Sequence, residues 1–348
     1  MIKAVFGLIA GEREGSVGTH ESTGREDAEP YQLRGYAIFG MLLVNANGLF
    51  SIEYEQFEHH RESFSYADTI APLFLFVVGI GMRLSWLRRS ATVGESATRQ
   101  AMVKRFCLLV LIAFAVYAGW LWDALMDIGL AGLLAVWLID KKPQIRIAAA
   151  FLMVALYQAI VMFSFYGDWI QRVDGAPSID SHLIIQLIPM RDALFDVALN
   201  GGPLGPLSWC MMLLFGSIAY DLMATGDRKK LMVGCAAWGL GLCALGWILH
   251  MPWGDTKESW PISAYYMTAP FPLWSTGLCF LQLLAFYLLC DVASLRIPTF
   301  TAMGMNPLFI YIIQLLVLDV VGGFDVPAMS LPIGIVAFLL FYGCFVAL

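Results

Sequence analysis

Long apolar runs separated by short polar connections extend along almost the whole chain. Ten segments of roughly 17 or more mostly apolar residues follow one another, approximately at 33–50, 68–87, 106–123, 125–140, 145–165, 204–223, 229–250, 263–290, 300–322 and 329–347. About 20 apolar residues in a helix cross the hydrocarbon core of a bilayer. Because the segments are this long and lack a ten-residue alternation, they indicate helices rather than a barrel. The pattern predicts an all-α fold, a polytopic integral membrane helix bundle with about ten transmembrane helices.

The positive charges predict how this bundle is oriented. Of the 21 Lys and Arg residues, 17 fall on one side of the predicted membrane and 4 on the other, alternating through the ten segments. Lys and Arg concentrate in cytoplasmic connections. We therefore expect both termini in the cytoplasm and the odd-numbered connections outside. The expected location is the bacterial inner membrane.

Composition narrows the function classes. Apolar residues make up 59% of the 348 residues and charged residues 14%, which is far from a soluble enzyme or a nucleic-acid binder. Membrane lipid is thus an expected partner and nucleic acid is not. We expect a cytoplasmic tail over 1–30 and one transmembrane domain over 31–348. The seven cysteines lie in apolar segments without CxxC spacing, so neither disulfides nor a metal site is expected.

Polar residues near the outer ends of the first two segments are the first candidates for chemistry. Asn45 and Asn47 end the first segment, and the acidic loop that follows carries His59 and His60 ahead of Asp68. Histidine exchanges protons near neutral pH, and a carboxylate can orient its ring. From spacing alone, solvated loop histidines and helix-end amides explain these residues better than catalysis does.

Other polar positions allow structural and functional readings. Asp123 and Asp127 lie four residues apart, so they would share a helix face and bind an amine, although Asp123 suits a helix cap better. Asn306 stands between Gly304 and Pro307, which predicts an irregular helix start. The segment 179–199 has apolar residues at helical spacing, so it is an amphipathic surface helix or a plain loop.

Basic residues cluster in the second connection, which the charge pattern places in the cytoplasm. They are topology signals, or they bind a phosphate-bearing cosubstrate. The cluster contains Arg83, Arg88, Arg89, Arg99, Lys104 and Arg105.

Several motifs follow one another in the first part of the chain. They are R-G-x-A, an Asn eleven residues after the Arg, a His in the next connection and A-D-x-x-x-P-x-F-x-F-x-x-G, formed by Arg34, Gly35, Ala37, Asn45, His59 or His60, Ala67, Asp68, Pro72, Phe74, Phe76 and Gly79. In this order they resemble the motifs of the heparan-α-glucosaminide N-acetyltransferase family and its bacterial relatives, in which the His faces outward. Weaker matches are Lys257, Trp260 and Ser263 and the segment GMNPLFIY around Asn306. The opening motif and WDALMDIGLAG also resemble the YeiB-like sister group. The likeness extends over about residues 33–318.

The resemblance implies transfer of an acetyl or short acyl group from cytoplasmic acetyl-CoA to an extracytoplasmic sugar amine or hydroxyl, on a glycan or a lipid-linked sugar. It implies a catalytic His, here His59 or His60, with Asp68 and Asn45 beside it. Cosubstrate binding would fall to Arg34, Arg83, Arg88, Arg89, Lys104, Arg105 and Asn306, and acceptor binding to Asn47, Asp123, Asp127, Lys257 and Trp260. The family His precedes the Asp by ten residues, whereas these histidines precede Asp68 by nine and eight.

Two other functions remain open at this stage. A transporter of a small anionic or glycosidic solute would have a similar composition, although the two halves of the chain show no matching motifs. A non-catalytic subunit of a larger membrane complex would explain the changed His spacing. A homo-oligomer is also compatible with the sequence.

Overall fold

A computed structural model describes the protein over residues 28–52, 54–61, 63–116, 121–171, 199–251, 260–324 and 329–347. In these ranges the fold is all-α, as predicted. Twelve α-helices occur there: α1 (Ala28–Ala46), α2 (Ala67–Val93), α3 (Glu95–Val116), α4 (Ala124–Ala135), α5 (Pro143–Phe163), α6 (Phe165–Gln171), α7 (Gly205–Met223), α8 (Arg228–His250), α9 (Pro270–Tyr287), α10 (Pro298–Met305), α11 (Pro307–Gly322) and α12 (Leu331–Ala347). Short 3-10 turns lie at Glu55–Phe57 and Gly202–Leu204, and a π turn lies at Leu288–Val292.

Five helices are long and apolar enough to cross a membrane. They are α2, α5, α7 with its preceding turn, α8, and α9 with the π turn; the pair α10–α11 makes a sixth if it counts as one span. Every predicted segment overlaps a helix. However, the 12 residues of α4 extend only about 18 Å, less than the ~30 Å hydrocarbon core. The helical membrane character agrees with the sequence, and the count of ten spans stays a prediction.

The chain divides into two compact units. Among the described residues, the first unit contains 28–59, 65–74 and 282–347, and the second contains 60–64 and 75–281. The predicted tail over 1–30 lies outside the described residues except for 28–30, which begin α1.

In the first unit, α1 binds the start of α10 through one side-chain amide. Nε2 of Gln32 donates to the carbonyl of Ile297 at 3.0 Å, and the N–H of Ile297 donates to Oε1 of Gln32 at 3.0 Å. Nε2 also bonds the hydroxyl of Thr301. A helix start leaves backbone groups without partners, so this buried amide replaces an ordinary cap.

The Arg34–Gly35 pair packs against the rest of the same helix. Nη1 of Arg34 lies 3.5 Å from the carbonyl oxygen of Gly304, in the last turn of α10. A Cβ at Gly35 would lie 1.8 Å from the carbonyl oxygen of Phe300, so only glycine permits this approach. The R-G motif therefore has a packing role in this structure.

The irregular helix start predicted around Asn306 is present, as a break between two helices. α10 ends at Met305 and α11 begins at Pro307, and the two helices are bent by 89°. Asn306 itself is exposed, with φ −129° and ψ 53°, outside the helical region. Since Pro307 restricts the preceding residue and cannot donate a helical hydrogen bond, the chain breaks here.

In the second unit, a buried charge network connects α2, α5 and α7. Nη2 of Arg146 bonds Asp221, and Nη1 donates to the hydroxyl of Ser217 at 2.5 Å. Nε of Arg83 donates to the other oxygen of Asp221 at 2.9 Å, and Nη1 of Arg83 donates to the carbonyl of Ile139 at 2.6 Å. Because Arg146 is fully buried, its positive charge needs a paired negative charge, which Asp221 supplies.

Candidate functional site

A histidine–aspartate pair lies at the start of α2, in the first unit. Nδ1 of His59 is 2.7 Å from Oδ1 of Asp68, the second residue of that helix. The Asp68 side chain is fully buried, whereas that of His59 is 45% exposed. A buried carboxylate behind a half-exposed imidazole is the arrangement in which the carboxylate orients a general base.

The second oxygen of Asp68 is also occupied. It accepts the backbone N–H of Ser65 at 3.0 Å, one half of the capping box that an S-x-x-D sequence favours at a helix start. The hydroxyl of Ser65 donates instead to the carbonyl of Glu58 at 2.6 Å. The carboxylate is therefore fixed at both oxygens, one by backbone and one by imidazole.

This geometry assigns the histidine tautomer. An ionised carboxylate can only accept a hydrogen bond, so the proton of neutral His59 lies on Nδ1. The lone pair is then on Nε2, at the opposite edge of the half-exposed ring. Nε2 is the atom that can take a proton from an acceptor or receive an acyl group.

The sequence left open whether His59 or His60 matches the family histidine. In the structure His59 makes the bond to Asp68, and Ser65 takes the other oxygen. His60 is half-buried. The structure therefore pairs His59 with Asp68, at a spacing of nine residues, and which histidine matches the family residue stays a prediction.

Next to this pair, Tyr66 is partly buried against α1. Burial raises the pKa of its hydroxyl, and so does the hydrogen bond that it shares with Tyr36. Tyr66 therefore stays neutral at physiological pH. Its ring packs edge-on against that of Phe57, with ring centroids 5.7 Å apart. It supports the loop before α2 and does not add a charge.

The two asparagines at the end of α1 differ in their surroundings. Asn45 is exposed, and Asn47 is 4% exposed with its carbonyl oxygen lacking a hydrogen-bond partner. In the described part of the chain, neither side chain hydrogen-bonds to His59 or Asp68. Their role beside the histidine stays a prediction.

Asp123 and Asp127 have different roles in the second unit. Asp123 is the N-cap of α4, and its carboxylate accepts the N–H of Ala124 at 2.5 Å, so the predicted cap is present. Asp127 is fully buried, and the side chain of Asn200 lies beside its carboxylate. Their role in binding an amine stays a prediction.

The basic residues expected to bind the cosubstrate divide into two groups. Arg83 is bound to Asp221 and a carbonyl, so it belongs to the structural network, and Arg34 lies against α10. Arg105 is half-buried. Three members are exposed, namely Arg88, Arg89 and Lys104. Only these three have the exposure that a charged ligand from solvent requires.

Lys104 lines an open cleft at the beginning of α3. The cleft has a volume of about 710 Å³ and is also bordered by Glu95, Arg99 and Trp137. The guanidinium of Arg99 lies 4.9 Å from the ring centroid of Trp86 and 5.4 Å from that of Trp137, and it pairs with Asp140 at 3.2 Å. Arg99 is thus held in the wall, and Lys104 carries the accessible charge.

The other residues predicted to bind the acceptor are Lys257 and Trp260. Lys257 and the segment 179–198 lie outside the described residues. The carbonyl of Trp260 accepts a hydrogen bond from Nδ1 of His250 at 2.8 Å, a contact that sequence reasoning missed. Over the described ranges, no three His, Cys, Asp or Glu side chains cluster as metal ligands would.

Sequence reasoning also missed Ser65 and the network around Asp221. The S-x-x-D spacing before an apolar run signals Ser65, because this is a capping-box pattern. An Asp inside an otherwise apolar helix signals Asp221, since such a charge needs a partner.

No protein-family model matches the sequence, and a search of curated proteins finds no significant match. The likeness to the acetyltransferase family therefore stays at the level of the motifs.

Proposed function

We propose that this protein is a transmembrane acyltransferase. It moves an acetyl or short acyl group from acyl-CoA in the cytoplasm to a sugar amine or hydroxyl on the other side of the membrane. The observation that supports this most directly is the bond of 2.7 Å between half-exposed His59 and buried Asp68. A half-exposed imidazole fixed by a buried carboxylate is suited to proton or acyl transfer.

His59 is the base in the proposed reaction. Nε2 of His59 takes the proton from the acceptor amine or hydroxyl while the acceptor atom attacks the thioester carbonyl. The new C–N or C–O bond forms, the C–S bond breaks, and the CoA thiolate leaves and takes up the proton. Donors such as the amides of Asn45 and Asn47 would stabilise the oxyanion. Alternatively, Nε2 attacks the thioester first, so that an N–C bond forms, the C–S bond breaks and the CoA thiolate leaves. The acceptor then attacks the acyl carbon, the N–C bond breaks, and the acceptor's proton passes to Nε2.

The exposed basic residues Arg88, Arg89 and Lys104 are the proposed contacts for the phosphates of CoA. The proposed topology has ten spans, cytoplasmic termini and an inner-membrane location, supported by the 17-to-4 charge split and by a helix in each apolar segment. In this orientation the basic residues face the cytoplasm and His59 faces outward.

The test uses the purified full chain in sealed vesicles, with labelled acetyl-CoA inside and glucosamine outside. We expect N-acetylglucosamine to form outside, and free CoA to accumulate inside in equal amount. Vesicles without protein are the control. Absence of both products, with the protein correctly inserted, would contradict the proposal.

A transporter is the second candidate, because α10 and α11 are bent by 89° at Asn306. Broken helices often line solute sites in transporters. Counterflow of a labelled sugar or anion in the same vesicles, without consumption of acyl-CoA, would favour transport over transfer.

A further inference from the structure

One buried serine, Ser65, forms hydrogen bonds with Glu58 and with Asp68. The Ser65 hydroxyl donates to the carbonyl of Glu58 at 2.6 Å, and the Ser65 N–H donates to Oδ2 of Asp68 at 3.0 Å. One residue thus binds both the chain directly before His59 and the carboxylate that holds His59. Ser65 is 2% exposed, so water does not readily replace these bonds.

The hydroxyl and the backbone N–H of Ser65 bind different partners, because each has a single proton to donate. The hydroxyl has one proton, and its short contact is with the carbonyl of Glu58. Its contact with Oδ2 of Asp68 is longer, at 3.4 Å, and that oxygen already accepts the backbone N–H. The Ser65 side chain therefore acts on the loop, whereas its backbone acts on the carboxylate.

We infer that Ser65 is a positioning residue that holds His59, rather than His60, against Asp68. The two histidines are adjacent, so a shift of the loop by one residue would exchange them. The Ser65 hydroxyl fixes Glu58 and with it the register of the next residue. The catalytic consequence rests on the proposed function, but the positioning of the imidazole does not.

A purely helix-capping role would look different. A capping serine accepts a backbone N–H of the first turn with its side chain. In this structure the hydroxyl of Ser65 donates to a loop carbonyl instead, seven residues earlier in the chain. Removing the hydroxyl should therefore disturb the histidine more than the helix.

The test is chemical labelling of the histidines with diethyl pyrocarbonate, read by mass spectrometry on the full chain in membranes. In the native protein Nδ1 of His59 is bonded to Asp68, so we expect single modification at Nε2. In Ser65→Ala, we expect doubly modified His59 to appear and the His59-to-His60 labelling ratio to change about fivefold, as for one lost hydrogen bond. Ser65→Thr keeps the hydroxyl and should restore the native pattern.

Ser63, an exposed serine in the same loop, supplies the matched control. Ser63→Ala should label like the native protein. If Ser65→Ala does not fold, Ser65→Cys keeps the volume with a weaker donor and carries the same expectation. Native-like labelling of a folded Ser65 variant would overturn the inference. Because labelling needs no acyl transfer, its outcome is independent of whether the proposed function holds.

Discussion

Nδ1 of His59 lies 2.7 Å from Oδ1 of Asp68, and these two residues lie on either side of the loop that leads into α2. Asp68 is in the first turn of that helix, where the helix dipole favours a negative charge. The same carboxylate therefore completes the helix start and orients the imidazole. This double use explains why a fully buried carboxylate is stable there.

Replacing Asp68 by Asn should separate orientation from packing. The amide keeps the size of the side chain, but its NH₂ group would face Nδ1 and favour the tautomer protonated at Nε2. We expect kcat for acyl transfer to fall about 10²- to 10⁴-fold, with KM nearly unchanged. Asp319→Asn, at an exposed carboxylate in α11, is the control. An unchanged kcat in Asp68→Asn would argue against the dyad.

Substitution of the exposed basic residues should change KM for acyl-CoA, whereas substitution of Arg83 should change stability. Arg88→Ala, Arg89→Ala and Lys104→Ala should each raise KM for acyl-CoA about two- to fivefold, with a larger effect at low salt. Arg83→Ala should instead lower thermal stability, since it removes the bond to Asp221. Steady-state kinetics at two ionic strengths and thermal unfolding in detergent measure both effects. A salt-independent KM in all three exposed variants would contradict the assignment.

Removing Asp221 should destabilise the second unit strongly. Arg146 is fully buried and would lose its counter-charge, at a cost of about 3 kcal/mol in the free energy of unfolding. Lys230→Ala, which removes an exposed ion pair with Asp227, should change the free energy of unfolding by less than about 1 kcal/mol. Chemical unfolding in detergent compares the two variants. Equal effects would mean that the network contributes no stability.

Gly35→Ala should disrupt the packing of α1 against α10. The added methyl would lie 1.8 Å from the carbonyl oxygen of Phe300, so the helices must separate, costing about 1–3 kcal/mol. Gly343→Ala is the matched control, because nothing lies within 4 Å of the added methyl in α12. There we expect unchanged or higher stability. Thermal unfolding temperatures that shift equally in both variants would contradict this packing.

Local sequence signals predicted the elements that depend on neighbouring residues. Apolar runs located the helices, Gly304 and Pro307 marked the break at Asn306, and the position of Asp123 before α4 indicated its cap. In each case the physical cause, whether hydrophobic length, proline geometry or a helix start, lies within a few residues of its effect.

Contacts between residues far apart in sequence were not predictable in this way. Arg83 bonds Asp221, 138 residues away, and no local pattern indicates this contact. Spacing does not determine which of the two adjacent histidines meets Asp68, and in the structure it is His59. Charge counts give the sign of a cluster, and only packing decides which of its members remain exposed.

The most direct test compares His59→Ala, His60→Ala, the control Ser63→Ala and the native chain in vesicles with acetyl-CoA inside and glucosamine outside. We expect transfer to fall at least about 10²-fold in His59→Ala. His60→Ala should keep most of the activity, and Ser63→Ala should match the native chain. Full activity in His59→Ala, with the protein folded and inserted, would contradict the central role of the His59–Asp68 pair.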